Sequence, residues 1–133
     1  MDIGILLAAV AAFGLPCTDP EVRNYRAHEL PWPAAYVRSV DGQNIIAVRE
    51  DLWNEPQQLR RVLTHELLHC GLYEQRERRG QPHPRSLDAR EEMAVHAMTD
   101  VVLERVNRSV TGEPHPQRPL FAARRMPSRS TMR

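Results

Sequence analysis

The sequence predicts an α+β domain in which a small antiparallel sheet packs on one helix with a central His-Glu-x-x-His pattern and on a second, long helix. Two apolar-rich runs, 35–40 and 43–49, flank Asp41-Gly42, a dipeptide that favours a two-residue hairpin turn, so a hairpin over 35–49 is expected. Apolar residues at helical spacing follow in two later segments. The 133 residues are 41% hydrophobic and 26% charged, which suits one globular domain with a modest core.

Four regular segments are expected outside the hairpin. Ala- and Leu-rich residues predict an N-terminal helix, spacings of three and four predict two later helices, and a mixed stretch predicts one short strand. The middle helix should end at Gly71, because glycine favours the left-handed position after a helix. In chain order the segments are a helix over 3–14, a strand around 25–29, a helix over about 56–71 capped through Asn54 and Gln57, a polar loop over 73–85, and a helix from Ser86 or Asp88 to about residue 107.

Composition divides the chain into a single domain over residues 1–110 and a flexible tail over 111–133. The tail holds four prolines and five arginines with one acidic residue. The whole chain has a formal net charge of +1, which gives no field that would gather nucleic acid or anionic lipid. Neither nucleic acid nor a membrane is therefore an expected partner, and a nucleic-acid accessory role through the tail is the weaker alternative.

The cysteine content and the N-terminus both predict a cytoplasmic protein. Cys17 and Cys70 are too few for a disulfide framework, which favours a reducing compartment, and Cys70 should pack as a small apolar residue. The apolar stretch 3–15 follows an acidic residue, shows no cleavage pattern and is too short to span a bilayer. It therefore predicts a buried helix rather than a targeting segment.

The pattern His65-Glu66-Leu67-Leu68-His69 carries the clearest chemical signal. Residues four apart lie on one face of a helix, so the two imidazoles can reach a single Zn²⁺. Glu66 then lies beside the metal, where it can act as general base and acid without being a ligand. With 6 His in the chain, the pattern is expected by chance only about 0.02 times.

A third ligand is expected from the last helix, and two neighbouring carboxylates are candidates. Glu91 falls on the apolar line through Ala94/Val95, Met98 and Val101/Val102, which is the expected buried stripe. Glu92 falls on a more polar line with His96, Thr99 and Asp100. A carboxylate on a buried stripe is costly unless a cation holds it, which favours Glu91 and leaves Glu92 as the alternative. Glu91 can also be explained as the capping-box partner of Asp88.

The other polar candidates carry weaker signals. Tyr73, just beyond the motif, can be an oxyanion donor or an ordinary surface residue, and the second explanation is favoured. His28, His83 and His115 lie in loop or edge contexts without a ligand spacing.

Three runs carry a resemblance to a known family, and it extends over residues 25–107. The runs are Asn44-Ile45-Ile46-Ala47-Val48-Arg49, the segment 59–69 that ends in His-Glu-Leu-Leu-His, and Glu91-Glu92-Met93-Ala94-Val95. They are similar to segments of the ImmA/IrrE-type metallopeptidases, a gluzincin-like group of bacteria, phages and mobile elements. In that family a Glu-x-x-Ala-Asn run supplies the third ligand, and Glu91 matches its first position.

The resemblance implies a minimal zincin-like fold and a small cytoplasmic zinc metalloendopeptidase from a phage or mobile element. Its substrate would be a protein or peptide, in some relatives a repressor, lying extended along the edge of the hairpin. One zinc ion held by His65, His69 and Glu91 would activate water, and Glu66 would pass the proton to the leaving amine. The alternative is a catalytically inactive zincin-like module that binds metal and a partner protein.

Overall fold

The computed structural model describes residues 3–84 and 88–111, the last three of them as helical backbone only. The chain divides into two compact units, 1–103 and 104–133, and the first contains the sheet, α1, α2 and the candidate site. The architecture is α+β, as the sequence predicts. Its elements are α1 (Ile3–Ala12), β1 (Glu21–Tyr25), β2 (Ala34–Arg38), β3 (Asn44–Arg49), a 3₁₀ helix (Glu50–Asn54), α2 (Pro56–Arg78) and α3 (Ala89–Thr111).

The sheet has three strands in the order β1-β3-β2, with β3 in the centre. β3 is buried over almost its whole length, which suits its continuous apolar run. β2 pairs with β3 antiparallel, as expected for the hairpin, but β1 pairs with β3 parallel. The prediction of a purely antiparallel sheet was therefore wrong, because the first strand joins the free side of β3 in the opposite sense to β2.

The first strand also lies earlier than predicted. β1 ends at Tyr25, and the residues expected to form a strand turn instead, with the backbone N–H groups of Glu29 and Leu30 both donating to the carbonyl oxygen of Arg26. The Glu29 carboxylate accepts from the N–H of Arg26 at 2.8 Å and closes this turn. A side chain that bonds its own local backbone competes with a strand, which explains the shift.

The hairpin turn is one residue longer than predicted. The N–H of Ser39 donates to Gln43 and the N–H of Gly42 donates to Ser39, so Val40-Asp41-Gly42 forms a three-residue loop. Gly42 has a φ of +90°, as expected where a type I turn is followed by a left-handed residue. Asp41-Gly42 therefore marks the turn correctly but not its length.

α2 continues through Gly71 to Arg78 and contains the first part of the predicted polar loop, residues 73–78. Gly71 does not end the helix, because its role is close packing: a Cβ placed there would lie 2.3 Å from the carbonyl oxygen of Leu15. The predicted capping box also fails, since α2 begins after Glu55 with Pro56 in the first turn and no side chain caps it.

A disulfide joins Cys17, just after α1, to Cys70 on α2. The prediction of unpaired cysteines was therefore wrong, although Cys70 is fully buried as expected. Sequence spacing gave no signal for this pair, which lies 53 residues apart and meets only because α1 packs against α2. Since disulfides persist in oxidising compartments, the pair removes the argument from cysteine count for a cytoplasmic location.

α3 begins as predicted at Asp88, whose carboxylate accepts from the N–H of Arg90 at 2.9 Å. Val95 and Val102 are buried, as predicted for the apolar stripe, whereas Ala94 and Val101 beside them are exposed. Thr99, assigned to the polar line, is buried too, and its hydroxyl donates to the carbonyl oxygen of Val95 at 2.6 Å. The prediction was therefore right for Val95 and Val102 and wrong for Thr99, because the buried face is turned toward the line that carries Glu92.

Two further predictions lie outside the described residues: Ser86 as an alternative cap of α3, and the flexible tail beyond Thr111. Over residues 3–84 and 88–111, no helix combines the length and the apolar character needed to cross a bilayer.

Candidate metal centre

α2 presents His65 and His69 one turn apart on a face that is not covered by the core. Their Nε2 atoms lie 3.2 Å apart, and each side chain is only 14% exposed. Burial lowers the pKa of His65, and the nearby charge of His69 lowers it further. A neutral imidazole with a free lone pair is the form that binds a metal ion, so a lowered pKa suits His65 as a ligand.

Glu92 on α3 completes a group of three potential ligands. Its Oε1 lies 2.5 Å from Nε2 of His69, and its Oε2 lies 3.3 Å from Nε2 of His65. One donor atom from each of the three residues falls within 4.8 Å of the others. Burial raises the pKa of Glu92, but the charges and hydrogen bonds of His69 and His65 outweigh it and hold the pKa below its usual value.

The donor set of these three residues fits a zinc ion. Zn–N distances of about 2.0–2.1 Å in a tetrahedron place the ligand atoms roughly 3.3–3.4 Å apart. The separations of His65 from His69 and from Glu92 match that spacing. The third pair, His69 and Glu92, is in direct hydrogen-bond contact and must open by about 0.8 Å to admit the ion.

Glu91 lies on the other side of the same imidazole. Its Oε2 is 2.6 Å from Nδ1 of His69, and its other oxygen accepts a hydrogen bond from Arg76. The geometry thus favours Glu92 as the third ligand, which reverses the order given by the sequence. The reason is the phase of α3: the buried line through Val95 and Thr99 carries Glu92 toward the His pair.

Glu66 lies between the His face and the sheet. Its Oε1 accepts a hydrogen bond from the backbone N–H of Tyr36 at 3.0 Å. Burial raises the pKa of Glu66 to about 7, although the charge of His69 and the Tyr36 N–H both work in the opposite direction. A carboxyl group in this range can take up and release a proton near neutral pH.

A cavity of about 520 Å³ opens in front of these groups. Glu66, both histidines and both glutamates line its floor, while residues 32–36 of β2 and its approach form one wall. Trp32 is 62% exposed at this wall. The cavity therefore combines several polar groups with an apolar side and a strand edge.

Tyr73 and His83 form another part of the cavity lining. Their rings are stacked at a centroid distance of 3.6 Å, and the Tyr36 ring meets Tyr73 edge-on at 5.8 Å. The guanidinium of Arg38 lies 4.7 Å from the centre of the Tyr73 ring. Tyr73 is thus a wall residue held by aromatic and cation–π contacts, and His83 belongs to the site although sequence spacing gave no signal for it.

A second group of potential ligands consists of Cys70 and Glu74 on α2 and Cys17 after α1. The two sulfur atoms are bonded to each other, and Glu74 accepts hydrogen bonds from Thr18 and Asn44. We interpret this group as a structural cluster, since its donors and acceptors are matched.

The sequence did not single out Arg76 or the backbone of Tyr36. Arg76 was assigned to a loop because α2 was expected to stop at Gly71, yet a continued helix places it seven residues after His69 on the same side. The N–H of Tyr36 had no signal in the sequence, since its use depends on how β2 packs on α2. Comparison of the chain with protein-family models, curated proteins and solved structures found no match.

Proposed function

We propose that this chain is a zinc-dependent metallopeptidase that hydrolyses peptide bonds with Glu66 as general base and acid. The observation that carries the proposal is the convergence of two imidazole Nε2 atoms and the Glu92 carboxylate beside Glu66, at the floor of a cavity walled by a strand edge. His65, His69 and Glu92 would hold the metal. A zinc ion held there would polarise a peptide carbonyl and lower the pKa of a water molecule.

Glu66 is placed to move the proton. Its carboxylate is anchored by the N–H of Tyr36 and lies next in sequence to a metal-binding histidine, so it can reach a water molecule in the cavity. In the ionised form it takes a proton from the attacking water. In the protonated form it delivers that proton to the departing amine nitrogen, which returns the carboxylate to its starting state.

The edge of β2 supports an extended peptide substrate. In an antiparallel pair the backbone groups of alternate residues face the neighbouring strand. The backbone hydrogen bonds of the Pro33 carbonyl and the Ser39 N–H show that in β2 the odd-numbered residues face β3. The backbone groups of Ala34, Tyr36 and Arg38 therefore face outward. The N–H of Tyr36 is used by Glu66, which leaves Ala34 and the carbonyl of Tyr36 to pair with a substrate strand.

The ImmA/IrrE resemblance stays a prediction that rests on the three runs quoted above. It suggests a protein substrate, in some relatives a repressor, and a cytoplasmic, phage or mobile-element setting. The exposed indole of Trp32 at the cavity wall suits an apolar side chain near the cleaved bond.

The decisive experiment combines zinc stoichiometry with cleavage of an unfolded protein. We expect native mass spectrometry to find one zinc per chain, and the loaded protein to cleave fluorescently labelled casein. Glu66→Gln should keep the zinc and lose cleavage, while Glu77→Gln, a control on an exposed face of α2, should change neither. His65→Ala and Glu92→Ala should lose or strongly weaken zinc binding.

The outcomes separate the two functions that the sequence left open. A wild-type chain that binds one zinc but cleaves neither casein nor a peptide library would favour the inactive metal-binding module. A wild-type chain that binds no transition metal would overturn both.

A further inference from the structure

We propose that Glu91 and Arg76 are positioning residues that fix the imidazole of His69 for metal binding. This inference rests on the proposed function, because it concerns the metal site formed by His65, His69 and Glu92. It assigns to Glu91 a role different from that of a ligand and gives a role to Arg76, which lies two turns beyond the motif.

The contacts define a chain of three side chains. Glu91 Oε2 lies 2.6 Å from Nδ1 of His69, and Glu91 Oε1 accepts from the guanidinium of Arg76. Each oxygen of the carboxylate thus has one partner, and the side chains of His69 and Glu91 are each only 14% exposed. A partly buried carboxylate with both oxygens engaged holds its geometry far better than an exposed one.

Each nitrogen of the His69 ring has a carboxylate beside it, Glu91 at Nδ1 and Glu92 at Nε2, and Nε2 also faces His65. A metal ion bound at Nε2 requires the lone pair there, so the ring proton is left on Nδ1, where the Glu91 carboxylate accepts it. The Glu91 contact therefore favours the metal-binding tautomer, fixes the ring rotation and makes the ligating nitrogen more basic.

A second ion pair between the same helices provides a matched control. Arg61 on α2 and Asp100 on α3 form a salt bridge at 2.8 Å, with side chains that are 54% and 68% exposed. It links α2 to α3 as Arg76 and Glu91 do, but it involves no imidazole of the site. If Arg76 and Glu91 only held the two helices together, loss of the Arg61–Asp100 pair would weaken zinc binding as well.

The test measures zinc affinity by competition with a chromophoric chelator. Glu91→Ala should weaken zinc binding about 10–100-fold. Glu91→Gln should weaken it less, because an amide oxygen still accepts from Nδ1 but carries no charge. Arg76→Gln should cause a smaller loss that disappears when Glu91 is already Ala, and Asp100→Ala should leave the affinity unchanged.

The ring of His69 gives a readout that does not depend on affinity. In ¹⁵N NMR of the zinc-loaded wild type, Nδ1 should be protonated and Nε2 should bear the metal. In Glu91→Ala the Nδ1 proton should exchange faster with solvent, and in Asp100→Ala it should not.

The possible failures are distinguishable. If the wild type binds zinc and Glu91→Ala binds it equally well, or if Asp100→Ala weakens binding as much, the positioning role is overturned while the metal site stands. If Glu91→Ala loses zinc as fully as His69→Ala while Glu92→Ala retains it, Glu91 is a ligand and the inference is wrong. If the wild type binds no zinc, the proposed function is wrong, and the inference that rests on it is overturned with it.

Discussion

Two glutamates on α2, Glu66 and Glu74, lie eight residues apart and have opposite environments. Glu66 receives one backbone N–H, from Tyr36, and burial raises its pKa to about 7. Burial pushes the pKa of Glu74 upward too, but hydrogen bonds from the Thr18 N–H, the Thr18 hydroxyl and Asn44 outweigh it and lower the pKa. One carboxylate is thus poorly solvated and poorly paired, while the other is fully engaged.

The two environments suit different roles on one helix, proton exchange for Glu66 and stabilisation of the fold for Glu74. Burial disfavours the ionised form of Glu66, so this carboxyl group can exchange a proton near neutral pH. Because it makes few favourable contacts, its replacement should cost little stability. A carboxylate with three donors holds the polypeptide together, because its loss removes the acceptor of the buried Asn44 amide and of the Thr18 N–H and hydroxyl. Glu74 and the disulfide belong to one structural cluster with Thr18 and Asn44, and Glu66 belongs to the proposed metal centre.

The largest difference should appear when each glutamate is replaced by glutamine. Glu66→Gln is expected to reduce kcat for casein cleavage about 10²–10⁴-fold, because no group remains to accept the proton. Glu74→Gln should change kcat by less than about twofold, since Glu74 does not line the cavity. Comparable losses in the two variants would contradict the division.

Reduction of the disulfide should be the next largest effect and should act on stability alone. The Cys17–Cys70 bond closes a loop of 53 residues, and its removal is expected to lower the free energy of unfolding by about 3 kcal/mol. Urea denaturation with and without a phosphine reductant measures this. The double variant Cys17→Ala, Cys70→Ala is the control and should not respond to the reductant. A reductant effect of the same size in that variant would show that the bond is not its cause.

Removal of the Glu74 carboxylate should destabilise the fold by about 2 kcal/mol. Glu74→Ala leaves the N–H of Thr18 and one amide N–H of the buried Asn44 without an acceptor. Glu77→Ala, on the same helix but paired only with Arg38 and largely exposed, is the matched control and should cost less than about 0.5 kcal/mol. Equal losses in urea denaturation would mean that the hydrogen bonds of Glu74 contribute no more than a surface ion pair.

The smallest expected effect is on the loss of stability at acidic pH. Because the pKa of Glu74 is lower in the folded state than in the unfolded chain, its contribution is complete above the usual glutamate pKa and is lost as pH falls through the folded value. Unfolding free energy should therefore decline more steeply with falling pH in the wild type than in Glu74→Gln. The measurement is a series of urea titrations from pH 6 to pH 3. Parallel curves would exclude Glu74 as a source of the acid sensitivity.

Local patterns predicted the parts of the molecule that depend on neighbouring residues in the sequence. The i, i+4 spacing placed His65 and His69 on one face of a helix, the Asp41-Gly42 pair marked the hairpin turn, and Asp88 marked the start of α3. Each of these features is set by backbone geometry within a few residues, so a sequence window contains the information.

Tertiary contacts decided the rest. Gly71 lies inside α2 because Leu15 packs against it, and Cys17 meets Cys70 because α1 packs on α2. The face of α3 with Val95 and Thr99 is buried, and this orientation brings Glu92, rather than Glu91, to the Nε2 atoms. Two adjacent glutamates are equivalent in composition and propensity, and only the packing of α3 against α2 gives them different partners.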